Sequence, residues 1–312
     1  MFVVTGATGR TGRVVVDELL RAGRAVRAIG RDSQGLAPLA AAGAEPFVAE
    51  PTDRAALTDA FTGAEGVYVL VQPNYIPDSP DFPAHQRTIV DAMTAALSTA
   101  GVGRVVTLSS WGADKPAGTG PVVGLHQLEQ QTNTLDAAVT HLRAGYFMEN
   151  LLGQIETIRG AGVVAVPFDP DIAMPFIATA DIGRAAAHSL LTPSAGSDIR
   201  ELHGERDLSM AEVTEVIGTI AELPRLRYVQ QSIEEFAAAQ RRAGVSQNVT
   251  GLMVEVVHAI NSRHTVTLQP RSPRTTTPTS IETFVAETLV PHLQSAFVTV
   301  AGRAARRSAS GG

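Results

Sequence analysis

Three glycines at a fixed spacing, in Gly6-Ala7-Thr8-Gly9-Arg10-Thr11-Gly12, follow a short apolar run at once and open a helical pattern. In that position Gly6 permits a tight turn, Gly9 lets the backbone approach a diphosphate, and Gly12 lets the helix lie close to the strand. The unbonded amides and positive end of the helix then attract an anion. Gly6, Thr8, Gly9, Arg10, Thr11 and Gly12 are therefore expected to hold the pyrophosphate of a dinucleotide. In an NAD-preferring site an acidic side chain about 20 residues further on bonds the ribose 2′-hydroxyl. Here that stretch is Ile29-Gly30-Arg31-Asp32. Arg31 suits a 2′-phosphate, with Arg10 as a second cation, so NADP (as NADPH) is expected over NADH. The alternative leaves Arg31 solvated and sends Asp32 to the ribose.

Other chemistries find little support. The chain has no cysteine, which removes disulfides, thiolate-bound metals and thiol nucleophiles. His85, His141, His188, His203, His258, His264 and His292 are scattered without ligand spacing, so no metal is expected. A Gly-x-Ser-x-Gly elbow is absent, which disfavours a hydrolase.

The elements that must position the loop are legible from hydrophobic spacing. Strand-like runs at 2–5, 25–29, 45–48, 66–71 and 104–108 alternate with helical patterns at 11–21, 36–42 and 53–61 and with a face carrying Ile89, Met93 and Leu97. Strands apolar throughout and separated by helices imply parallel pairing with both faces covered. A helix over 124–133 and a strand over 139–142 complete a six-stranded sheet, giving an α/β, doubly wound parallel Rossmann fold. Residues 1–150 form that domain. Residues 151–302 form a smaller mixed α/β region shaping a substrate cleft, some of it packing back on the sheet, and 303–312 a disordered tail. Within the second region, helices are expected at 180–191 and after two capping boxes, Ser209 with Glu212 and Ser232 with Glu235. Thr279 with Glu282 caps a last helix, and strands are expected within 160–166, 199–202 and 226–229.

Bulk properties agree with a folded enzyme-sized chain. Of 312 residues, 44% are hydrophobic and 18% charged, and the net charge is −6. That balance argues against disorder, and neither a basic stripe nor a helix-turn-helix pattern points to nucleic acid. No window approaches the roughly 20 apolar residues of a membrane span. The Met1 to Gly6 start lacks a signal-peptide pattern, so a cytoplasmic location is expected.

With these residues identified, the chain resembles the NmrA-like group of atypical short-chain dehydrogenases. The matching pieces are the 4–12 loop, Val69-Leu70-Val71-Gln72-Pro73, Leu108-Ser109-Ser110, Leu142-Arg143-Ala144-Gly145-Tyr146-Phe147-Met148-Glu149-Asn150, and Phe176-Ile177-Ala178-Thr179-Ala180-Asp181-Ile182-Gly183. They cover roughly the first two-thirds of the chain in the family's order. The resemblance implies a cofactor extended across the strand ends, with Gln72, Pro73 and Ser109 beside it, and a C-terminal region shaping a cleft at the nicotinamide. Members include quinone and enone reductases and also non-catalytic NADP redox sensors.

The wider short-chain dehydrogenase group uses Ser with Tyr-x-x-x-Lys for proton transfer. Here Ser109 and Ser110 stand at the strand end, but His126 takes the Tyr position and Gln130 the Lys position. His126 with Ser110 could replace that apparatus, or the proton could come from water, leaving His126 a locally bonded helix-start residue. Glu129 at i,i+3 could orient His126 or face solvent. Asn74 and Tyr75 could touch the nicotinamide ribose, cover the cleft or form a rigid surface loop. Tyr146, Phe147 and Asn150, past the sixth strand, suit the wall for a flat apolar substrate, with core packing the alternative for Phe147 and Met148. Two functions follow as expectations. One is an NADPH-dependent oxidoreductase acting on a quinone, enone or similar apolar carbonyl compound. The other is a non-catalytic NADP(H) sensor working through a protein partner, or a homodimer.

Overall fold

The computed structural model describes residues 1–71, 77–192 and 196–294. In its first half, strands and helices alternate: β1 (Phe2–Val4), α1 (Arg10–Arg21), β2 (Val26–Gly30), α2 (Ser33–Ala41), β3 (Glu45–Val48), α3 (Arg54–Phe61), β4 (Gly66–Leu70), α4 (Phe82–Ala100), β5 (Arg104–Ser110), α5 (Val122–Thr132) and β6 (Ala138–Ala144). Three of the helices start on an aspartate. Asp32, Asp53 and Asp81 accept from the amides of Gly35, Ala56 and Ala84 at 2.6, 3.0 and 2.9 Å. Each such cap is worth about 1 kcal/mol and fixes where the chain turns from strand to helix.

The second half contains β7 (Tyr146–Phe147), a 3₁₀ segment (Met148–Gln154), α6 (Ile155–Ala161), β8 (Val163–Val166), β9 (Met174–Ile177), α7 (Thr179–Leu191), β10 (Asp198–Leu202), β11 (Asp207–Leu208), α8 (Met210–Ile220), β12 (Arg227–Gln230), α9 (Ile233–Arg242), α10 (Gln247–Asn261) and α11 (Ile281–Phe284), which runs on into a wider π turn, Val285–Leu289. Both capping boxes, on Ser209 and Ser232, are present. The last helix is capped by Ser280 rather than Thr279. Thr279 donates its amide and hydroxyl to Asp181, at 3.0 and 2.9 Å, which turns its side chain toward α7 rather than the helix start.

The main sheet is parallel with seven strands in the order β10-β6-β5-β4-β1-β2-β3, one more than the six expected. The extra strand is β10, which pairs with β6 in the register Ile199↔His141. It reaches that edge because α7 crosses back over the sheet and lies on α1. The two helices come so close that a Cβ on Gly183 would sit 2.5 Å from Cβ of Val14.

Period-two alternation sends Phe2 and Val4 to one face, with Val15, Leu19, Ile182 and Leu190, and Val3 to the other, with Phe61, Val67, Ile89 and Leu97. A third core, built on Met148, Phe176, Val213, Ile217, Ile260 and Phe284, holds the C-terminal half together around the small sheet β11-β9-β7. Among the described residues, no helix is long and apolar enough to cross a membrane.

Candidate cofactor and acceptor site

Strand order reverses between β1 and β4, since the chain continues outward to β2 on one side and to β5 on the other. Doubly wound sheets bind ligands in the crevice this reversal opens beyond the strand carboxyl ends. Thr5 finishes β1 there. Its amide and hydroxyl both donate to the Tyr68 carbonyl at 3.0 Å, and its Oγ1 accepts from the Leu70 amide at 2.9 Å. The chain then turns at Gly6, whose φ of 58° a side chain would disfavour, and the Ala7 amide donates to the Ile29 carbonyl at 3.0 Å.

The α1 helix begins on Gly9, which offers no side-chain cap, and its first turn carries no acid. The first α-helical bond runs from the Arg13 amide to the Gly9 carbonyl at 3.0 Å, so the amides of Arg10, Thr11 and Gly12 have no intrahelical partner. A Cβ on Gly12 would lie 2.3 Å from the Gly6 carbonyl oxygen, so only glycine allows the loop to fold back on its helix. Uncapped amides, a positive helix end and an exposed Gly9 make a cradle that fits a diphosphate.

The neighbouring rim is basic. Arg10 and Arg31 are exposed, and a Cβ added to Gly30 or Gly35 would meet the Thr8 methyl at 3.2 or 3.3 Å. Asp32, the alternative ribose ligand, is the N-cap of α2, with Oδ1 on the Gly35 amide. Thr11 is buried, and its Oγ1 accepts from the Tyr68 hydroxyl at 3.3 Å. Tyr68 is itself fully enclosed, and burial pushes its phenol well above the ordinary value of 10.0.

The two serines at the end of β5 have different fates. Ser109 is buried, and its hydroxyl donates to Oε1 of Glu129 at 2.5 Å instead of reaching the crevice. Ser110 is half-buried and donates to the Trp111 carbonyl at 3.1 Å. Glu129 neither faces solvent nor orients His126. It lies 2% exposed beneath α5, bonded to Arg143 Nε at 2.9 Å and to a guanidinium amino group at 2.6 Å. The β6 arginine supplies a charge-matched fork for it, which explains why the carboxylate turns inward.

His126 sits half-buried on α5, with Nδ1 2.8 Å from the Ala113 carbonyl oxygen. A carbonyl only accepts, so Nδ1 carries the proton and Nε2 is the atom left for a proton in transit. Gln130 is exposed. Tyr146 packs edge-on against Phe168 and Phe176, with centroids 5.7 and 5.3 Å apart, and Phe147 lies against the sheet core. Met148 is buried in the C-terminal core and Asn150 is exposed. Glu149 accepts from the amide and hydroxyl of Thr179 at 3.0 and 2.5 Å, which anchors the start of α7. Gln72, Pro73, Asn74, Tyr75 and the 303–312 tail lie outside the described residues.

Motif spacing does not single out Trp111 or Lys115, but single-residue counts do. They are the chain's one tryptophan and, beside 24 arginines, its one lysine, and both fall in the loop after Ser110. Lys115 pairs with Asp114 at 2.8 Å. Among the described residues, no group of three or more His, Asp or Glu could hold a metal. A surface hollow lined by Glu215, Gly218, Thr219, Leu223 and Leu226 includes none of the residues above, and it opens widely at the end of α8.

Known proteins share this fold. The NADPH-dependent quinone oxidoreductase of Escherichia coli, solved with NADPH, superposes with a TM-score of 0.78 at 22% identity, over 93% of this chain and 100% of that one. The Citrobacter sp. triphenylmethane reductase, solved with NADP(H), superposes with a TM-score of 0.77 at 18% identity, over 92% of this chain and 99% of that one. In sequence, an NAD(P)H azoreductase of Xenophilus azovorans is 29% identical over 258 residues, 82% of this chain and 86% of that protein. The sequence model of the NmrA-like family matches residues 1–277, and the chain belongs to that family.

Proposed function

We propose that the chain is an NADPH-dependent oxidoreductase that reduces a quinone, an enone or a similar apolar carbonyl compound. The observation that carries this reading is the uncapped start of α1 behind Gly6, Gly9 and Gly12, with Arg10 and Arg31 on its rim and Asp32 committed to capping α2. The names of relatives support it: an azoreductase and a quinone oxidoreductase, the latter 27% identical over 266 residues. A nicotinamide dinucleotide supplies the hydride when bound. The amides of Arg10, Thr11 and Gly12 hold its diphosphate, and Arg31 with Arg10 holds its 2′-phosphate. Ser110 and the Nε2 atom of His126 handle the proton, while Tyr146 and Phe147 exclude water from an apolar face.

A sensor without turnover is the second reading. The exposed Gln130 and the inward Ser109 favour it, since neither can serve the usual Ser and Tyr-x-x-x-Lys chemistry. Calorimetric titration with NADPH and NADH, followed by a quinone and enone panel read at the nicotinamide absorbance, separates the two. NADPH binding with turnover on a panel member is expected. Binding without turnover on any of them would establish the sensor.

A further inference from the structure

Two buried side-chain polar atoms that lack a hydrogen-bond partner among the described residues, Trp111 Nε1 and Thr119 Oγ1, lie on the single loop between β5 and α5. A buried indole N–H normally finds an acceptor, and leaving one unpaired forfeits its hydration. Chance burial in an apolar core does not explain the position of Trp111. Its backbone amide bonds the Ala144 carbonyl at 2.9 Å, which pins it across the carboxyl ends of β5 and β6. Its ring lies against the C-terminal core, as does that of Tyr146. The indole therefore occupies the seam between the sheet ends and the C-terminal half, directly after Ser110.

The loop is held from its other side by α10 and the residues after it. Glu255 accepts from the Gly120 amide at 3.2 Å, and the Thr265 methyl is so close to Gly112 that an added Cβ would meet it at 2.7 Å. A Cβ on Gly112 would also lie 3.6 Å from the Thr119 methyl, so Thr119 flanks the residue next to Trp111. Two polar groups enclosed without partners on a held loop, at the strand ends where doubly wound sheets bind ligands, mark a place for an acceptor oxygen.

We infer that Trp111 binds the compound being reduced, its indole N–H donating a hydrogen bond to a carbonyl oxygen of that planar acceptor. This rests on the oxidoreductase reading above, and it names the class of acceptor as one carrying a hydrogen-bond-accepting oxygen beside its apolar ring. Cofactor binding is separate, because no part of Trp111 contributes to the glycine loop.

Because Trp111 is the only tryptophan, the protein labelled with ¹⁵N has one indole resonance, and it reports this atom alone. Saturation with NADP⁺ followed by 1,4-naphthoquinone is expected to move that proton downfield. Trp111→Phe keeps a ring in the seam and removes the N–H. Its KM for the quinone is expected to rise about tenfold, with the NADPH Kd unchanged. Turnover of the quinone with an unmoved indole resonance, or an unchanged KM in the variant, overturns the inference and leaves the oxidoreductase standing. Absence of turnover with every acceptor, and of any indole response, overturns both. Should Trp111→Phe fail to fold, the resonance of the wild-type protein decides.

Discussion

Arg31 stands one residue beyond β2, on the rim of the glycine loop; on the proposed reading its guanidinium would make charge-assisted bonds to a 2′-phosphate that a 2′-hydroxyl cannot match. Arg31→Ala is expected to weaken NADPH binding by about tenfold or more while leaving NADH nearly unchanged, since a charged hydrogen bond contributes about 1.5–3 kcal/mol. Equal losses for the two cofactors, measured by calorimetry, would sink the assignment. For His126 the informative change is to asparagine. An asparagine amide can still donate to the Ala113 carbonyl in place of Nδ1, but it has no atom that titrates in place of Nε2. If His126 moves a proton, His126→Asn lowers kcat by about 10²–10⁴-fold and removes one limb of the pH–rate profile. An unaltered profile would leave His126 as a strut for its loop.

Between elements, the decisive contact is Glu129 of α5 with Arg143 of β6, joined by Ser109 of β5. The pair is almost wholly enclosed, with side chains 3% and 7% exposed. Removing one member strands the other's charge in a poorly solvated place, so Glu129→Ala is expected to destabilise the fold by about 3–5 kcal/mol in denaturant titration. A loss below 1 kcal/mol would mean that water reaches Arg143. This contact also marks how far the sequence could be read. Local signals were plain: the glycine loop, the apolar strand runs and the Ser209 and Ser232 boxes depend on neighbours in the chain and appear as expected. Non-local facts were not. Glu129 at i,i+3 from His126 gives no hint of an arginine 14 residues on, and Asp198–Leu202 shows no preference for one sheet edge. The last helix is capped by Ser280, one residue past the Thr279 that local spacing favours, because Thr279 turns to the distant Asp181. Helix α10 carries Val249, Met253, Val257 and Ile260 at helical spacing, a local pattern that marks it without any long-range contact.

On the scale of the whole molecule, stability must answer to both pH and cofactor. His141 lies fully buried in β6, with Nδ1 2.8 Å from Thr107 Oγ1 and Nε2 3.1 Å from Asn133 Oδ1. Burial holds its pKa below the ordinary 6.5 and Arg143 adds to this, against the opposing pull of Glu129 and Asp198. Its contribution is complete above pH 6.5 and is lost as pH falls, because the unfolded chain takes up the proton first. Tm is therefore expected to decline between pH 7 and 5.5, and His141→Gln to flatten that decline; an equally steep fall in the variant would assign it to other groups. The cofactor acts through the way the halves are joined. The α10 helix reaches both loops that leave the middle of the sheet. Ser246 bonds the carbonyls of Pro77 and Ser79, Asn248 accepts from the Phe82 amide at 2.9 Å, and Glu255 holds Gly120. Strand β10 and helix α7, from beyond residue 150, complete the sheet and its covering layer. Halves interlocked this way should unfold together. A ligand bound only at the α1 loop then stabilises the entire chain, by about 2.7 kcal/mol at 100 times its Kd. Differential scanning calorimetry is expected to show one transition, raised by roughly 4–8 °C with NADPH. Two transitions with only one of them moving would show that the C-terminal half folds apart from the sheet, and that α10 merely rests on the loops it touches.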